Sequence, residues 1–77
     1  MDKGLQPLDE VMACLNLKNH DLVERSTEQL THKIVAKGRK GRPLTLNAQM
    51  KILKALNAVQ AEKRFTLTDL FNYRGKE

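Results

Sequence analysis

Cys14, His20 and His32 are the side chains of this sequence best suited to holding a metal or attacking an electrophile. Their spacing supports neither chemistry. Ligand pairs of the CxxC or HExxH kind are absent, and one cysteine, two histidines and scattered Ser and Thr mark no nucleophile–base pair. Gly38 and Gly41 sit among cations but do not form a GxxxxGK[ST] phosphate loop. The residues therefore predict no catalytic group, no metal site and no cofactor, and 77 residues leave little core for shaping a substrate cleft, so no small-molecule ligand is expected either. What the sequence concentrates instead is positive charge. The net charge is +5, from 14 Lys and Arg against 9 Asp and Glu. Residues 1–28 hold six acids and three cations. Residues 29–61 hold Lys33, Lys37, Arg39, Lys40, Arg42, Lys51 and Lys54 and no acid at all. A field of one sign gathered in one segment suits a polyanion, most often nucleic acid; a solvated basic helix face would give the same composition.

The hydrophobic pattern supplies the elements that must carry this charge. Pro7 suits the first position of a helix. Asp9 and Glu10 follow in its first turn, and Leu8, Val11, Met12 and Leu15 form one apolar face. This helix is expected to end near Asn16 or Lys18, with Cys14 as a small buried or half-buried side chain. Asn19 is expected to cap a short second helix through about Arg25. Ser26-Thr27-Glu28-Gln29 reads as a capping box opening a third helix to about Lys37, with Leu30, Ile34 and Val35 inward and Gly38 ending it. The second and third helices would then abut. Gly38 to Leu44 becomes a basic loop, with residues 38–43 on phosphates. Thr45 caps a fourth helix with a stripe of Leu46, Met50, Leu53 and Leu56 flanked by Ile52, Ala55 and Val59. Thr66-Leu67-Thr68-Asp69 opens a short fifth helix, with Phe65 and Leu70 as a hydrophobic staple. The tail from Tyr73 is expected to fray. No stretch alternates with a period of two, so the sequence predicts one all-α domain of five helices over residues 1–77, with its core in about 6–72.

Phe65, Phe71 and Tyr73 are the only aromatic residues, too few and too late for a base-stacking platform. Duplex binding by a helix remains. In a helix–turn–helix, the second of two short helices enters the major groove with its N-terminal residues at the base edges. Those residues here would be Thr27, Glu28, Gln29, Thr31, His32 and Lys33. Gln29 suits adenine, Lys33 guanine, Glu28 cytosine and Thr31 a thymine methyl. An ordinary amphipathic helix with a solvated polar face fits the same residues.

The order of elements resembles the DNA-binding domain of the phage lambda repressor and Cro family, over about residues 8–72. Ile34-Val35-Ala36-Lys37-Gly38-Arg39-Lys40 is similar to the end of that family's recognition helix. Leu44-Thr45-Leu46 with Lys51-Ile52-Leu53-Lys54-Ala55-Leu56-Asn57 is similar to its fourth helix, and Leu70-Phe71 falls in the fifth. Asn19-His20 falls where family members contact phosphate. Val23 stands where the family has a small residue, and Ser26-Thr27 stand where its turn has glycine. The resemblance implies a sequence-specific DNA-binding transcriptional regulator, often a homodimer on a two-fold symmetric site, with Asn19, His20, Lys37, Arg39, Lys40 and Arg42 on phosphates. Three other readings share the same residues. Lys40-Gly41-Arg42-Pro43 resembles the core of an AT-hook, which lies in the minor groove. A basic helical RNA- or ribosome-associated protein would need the same charge, and a protein-interaction module could dock an acidic partner. With one cysteine there is no internal disulfide, which fits a reducing, cytoplasmic setting. No apolar run approaches the ~20 residues of a membrane span, and residues 45–60 have few of the cations of a membrane-surface helix, Lys51 and Lys54, and no tryptophan.

Overall fold

In the computed structural model, Pro7 opens α1 (Pro7–Cys14) as its first residue, with Asp9 and Glu10 in the first turn. Asn16 ends it in a left-handed conformation, φ 56°, a region asparagine tolerates better than most residues. Leu17 N–H then bonds back to the Met12 carbonyl at 2.8 Å and turns the chain away. The remaining helices are α2 (Asn19–Arg25), α3 (His32–Lys40), α4 (Leu46–Val59) and α5 (Leu67–Leu70). The structure describes residues 4–26, 29–60 and 63–76. Among them there is no strand, only an isolated parallel bridge between Thr45 and Lys76. The protein is all-α with five helices, as the periodicity predicts.

The core joins Leu8 and Met12 of α1, Leu22 of α2, Leu30, Val35 of α3, Ile52, Ala55 and Leu56 of α4, Phe65, Leu70 and Phe71. α2 packs on α3 and α4, and α1 packs on α3 and α5. Thr45 caps α4 as expected, its hydroxyl accepting from Ala48 N–H at 3.2 Å. The buried line of α4 is Gln49, Ile52, Ala55 and Leu56, rotated by one residue from the expected stripe, so Leu46 and Met50 are only half-buried. Phe65 and Leu70 both reach the core, as a staple would place them. Asp69 accepts from the Thr66 N–H at 2.8 Å and from its hydroxyl at 3.0 Å. Those bonds, with the nearby Lys63 charge, hold the Asp69 carboxyl below the usual carboxylate range.

Several expected boundaries are corrected. Asn19 is the first residue of α2 and Lys18 its cap, with the Asp21 carboxylate accepting from the Lys18 N–H at 2.8 Å. Ser26 does not open α3. Its backbone is extended, φ −69° and ψ 133°, and it closes α2. The cap of α3 is Thr31, whose hydroxyl accepts from Ile34 N–H at 3.1 Å. α2 ends at Arg25 and α3 begins at His32, so the two do not abut, and Leu30 ahead of α3 is buried in the core. Gly38 does not end α3; it lies inside it, buried. A Cβ there would stand 3.0 Å from Ile52 Cδ1 and 3.3 Å from Leu44 Cδ1, so the missing side chain lets α3 approach α4 closely. The terminating residue is Gly41, with φ 86°. The loop between α3 and α4 is accordingly Gly41–Leu44, not residues 38–43. Cys14 is exposed rather than buried.

Residues 71–76, expected to fray from Tyr73, are hydrogen-bonded back onto the fold. Asn72 N–H donates to Gln6 Oε1 at 2.8 Å, and Gly75 N–H donates to Gln49 Oε1 at 2.7 Å. Gln49 Nε2 donates to the Tyr73 carbonyl at 3.2 Å. The Tyr73 hydroxyl accepts from Leu44 N–H at 3.0 Å and donates to the Arg42 carbonyl at 3.2 Å. Leu46 N–H donates to the Lys76 carbonyl at 2.9 Å. These bonds satisfy buried backbone and amide groups along residues 72–76.

Candidate nucleic-acid interface

α3 carries the site, and its register decides which side chains face outward. Successive residues advance by about 100° around a helix, so positions i, i+4 and i+7 share a face. In α3 these are Lys33, Lys37 and Lys40. Lys33 and Lys40 are exposed and Lys37 is half-buried. Val35 and Gly38 lie buried on the opposite side. α3 contains no acid, so this ridge presents three ammonium groups uninterrupted. Lys37 and Lys40 also sit in the last turn, where the helix dipole favours cations.

The other expected contact residues divide into groups. Arg39 is turned inward. Its Nε donates to Asp9 Oδ1 at 2.7 Å and its Nη1 donates to Asn19 Oδ1 at 2.9 Å. It ties α1, α2 and α3 together, and the expected phosphate contacts Arg39 and Asn19 are spent on each other. Arg42 is exposed in the Gly41–Leu44 loop, its N–H bonded to the Lys37 carbonyl at 3.0 Å. Gln29 is exposed but lies ahead of the helix, as does Thr31, whose hydroxyl oxygen is the cap of α3. Thr27 and Glu28 lie outside the described residues. His32 opens α3 and stacks on His20 of α2, ring centroids 5.8 Å apart with an interplanar angle of 22°. His20 Nε2 is 3.0 Å from Glu24 Oε1. Lys33, Lys37, Lys40 and Arg42 thus run along α3 into the loop after it, with the His20–His32 stack joining α2 to the start of α3.

The sequence reading missed Arg74 and Lys76. Both are exposed, and the docked tail lays them beside the Gly41–Leu44 loop. Among the described residues no three His, Cys, Asp or Glu side chains gather as a metal site. No helix among them is long and apolar enough to cross a membrane.

Comparison with family models, curated proteins and solved structures returned no match.

Proposed function

We propose that the protein binds double-stranded DNA as a small transcriptional regulator, with α3 in the major groove and the Gly41–Leu44 loop on the phosphates. The observation that carries this reading is the Lys33, Lys37, Lys40 ridge on an acid-free helix. An α-helix with its side chains is about 10–12 Å across, a cross-section that fits a major groove about 12 Å wide. His32 and Lys33 on its first turn are the side chains nearest to base edges, with Gln29 and Thr31 approaching from the preceding segment. The order of helices supports a lambda-repressor-like arrangement, often dimeric on a two-fold site. Its connection from α2 to α3 is longer than the 3–4-residue turn usual in that motif.

A mobility-shift titration at several salt concentrations tests the reading. Replacing Lys37 and Lys40 with Gln should lower the slope of log K against log salt by about 2, since each phosphate contact contributes about 0.9. Gln29→Ala should instead alter sequence preference while leaving that slope nearly unchanged. Absence of a shift with any duplex at low salt would overturn the proposal. Preference for structured RNA over duplex DNA in competition would move it to the RNA reading.

A further inference from the structure

The tail from Phe71 to Lys76 is fastened along the α3–α4 loop, and its register fixes where its cations lie. The parallel bridge sets Thr45 opposite Lys76, Gly75 lies against the Leu44–Leu46 backbone, and Arg74 lines the same groove as Pro43. The Tyr73 hydroxyl spans the Leu44 N–H and the Arg42 carbonyl. Pro43, Leu44, Thr45, Tyr73, Arg74, Gly75 and Lys76 line one open groove. A Cβ on Gly75 would stand 2.5 Å from Leu46 N and the Thr45 carbonyl carbon, so only glycine allows this seating. Arg42 is itself bonded to the last turn of α3 through the Lys37 carbonyl. Lys37, Arg42, Arg74 and Lys76 therefore sit on three segments joined edge to edge, although residues 42 and 74 are far apart in sequence.

We infer that the docked tail is a second phosphate-binding segment, in which Arg74 and Lys76 join Arg42 in gripping the nucleic-acid backbone beside α3. This rests on the DNA-binding reading above and extends it. A helix seated in a major groove has a phosphate strand on either side. The loop–tail platform, at the C-terminal end of α3, meets one of them. A segment held by buried Gln49 presents its charges with little ordering left to do on binding, which favours a contact over a loose basic tail of equal charge.

Three proteins test this on one DNA duplex across a salt series: wild type, Arg74→Gln/Lys76→Gln, and Lys63→Gln/Arg64→Gln, which removes the same charge at the start of the α5 segment. The inference expects the tail variant to lower the log K–log salt slope by about 1–2 and affinity at low salt about tenfold. The Lys63/Arg64 variant should keep a slope close to that of the wild type. Equal losses in both variants would mean net charge alone matters, and would overturn the inference; so would an unchanged slope in the tail variant. No binding by the wild type would instead sink the DNA-binding reading itself. Gly75→Ala, which keeps every charge but unseats the tail, should reproduce the loss of the Arg74/Lys76 variant. Its circular dichroism spectrum reports whether the helices survive, and a folded Gly75→Ala protein that binds like wild type also counts against the inference.

Discussion

Gln6 and Gln49 are buried to 2% and 1% exposure, and each amide is used at both ends. Gln6 donates to the Gly4 carbonyl at 3.0 Å and accepts from Asn72 N–H. Gln49 accepts from Gly75 and donates to Tyr73. Buried amides of this kind cost little while satisfied and a great deal when a partner is lost. Gln49→Leu keeps a comparable volume but leaves the Gly75 N–H and the Tyr73 carbonyl without their partners. We expect destabilisation of about 2 kcal/mol, a fall in Tm of roughly 10 °C for a domain of this size, and faster amide exchange at Gly75. Thermal melting and hydrogen exchange check it; an unchanged Tm would show that the tail is not held through Gln49. Neither glutamine was legible as core in the sequence. A polar side chain beside an apolar stripe reads as a solvated edge, and only the partner arriving from far along the chain reveals that it is buried. The expectation of a frayed tail from Tyr73 onward has the same origin, because local pattern cannot see a bond such as that from Gly75 N–H to Gln49.

The helices themselves were largely legible, because Pro7, Thr45 and the 3.6-residue periodicity act locally. α3 was misplaced at both ends because two local signals competed and tertiary packing chose between them. Ser26 and Thr31 are both good caps, and burying Leu30 ahead of the helix selects Thr31. Gly38 and Gly41 are both plausible ends, and the choice of Gly41 frees Gly38 to serve as the close contact with α4. The consequence for the interface is a change of register: Lys33, Lys37 and Lys40 become one ridge, and Gln29 leaves the helix. The two glycines then predict different responses to alanine. At Gly38 the gain in helix propensity of about 1 kcal/mol opposes a Cβ pressed on the mobile ends of Ile52 and Leu44, so Gly38→Ala should change stability by no more than about 1 kcal/mol. At Gly41 the backbone is left-handed and a Cβ would overlap the Gly4 carbonyl. Gly41→Ala should therefore cost about 2 kcal/mol or more. Denaturant unfolding of the two variants ranks them, and a larger loss at Gly38 would contradict this helix end.

Across the whole molecule the charges are sorted rather than mixed. The acids of α1 and α2 lie on the first half of the chain, and the acid-free segment supplies α3, its loop and α4. The Arg39–Asp9 pair, at 2.7 Å and partly shielded, joins the two halves. The described chain measures 31 × 24 × 19 Å along its principal axes. The Debye length is ~30 Å at 0.01 M salt and ~8 Å at 0.15 M. At low salt every charge in the molecule is therefore felt by every other, and a net +5 repels itself. At physiological salt only neighbours interact, and the repulsion among Lys33, Lys37, Lys40 and Arg42 is cut back. The free protein should accordingly become more stable as salt is added. Scanning calorimetry from 0.01 to 0.15 M NaCl should show Tm rising by a few degrees, on the order of 1 kcal/mol. The DNA binding proposed above would weaken over the same range, because adding salt opposes counterion release. The two slopes would have opposite signs for one cause: the clustered positive charge repels itself in the isolated fold and would be neutralised by the anionic partner proposed above. A Tm that falls with salt would mean that attractions such as Arg39–Asp9 outweigh the repulsion. The sorted charge would then be part of what holds the fold together, and the case for a surface kept basic for a partner would lose its energetic ground.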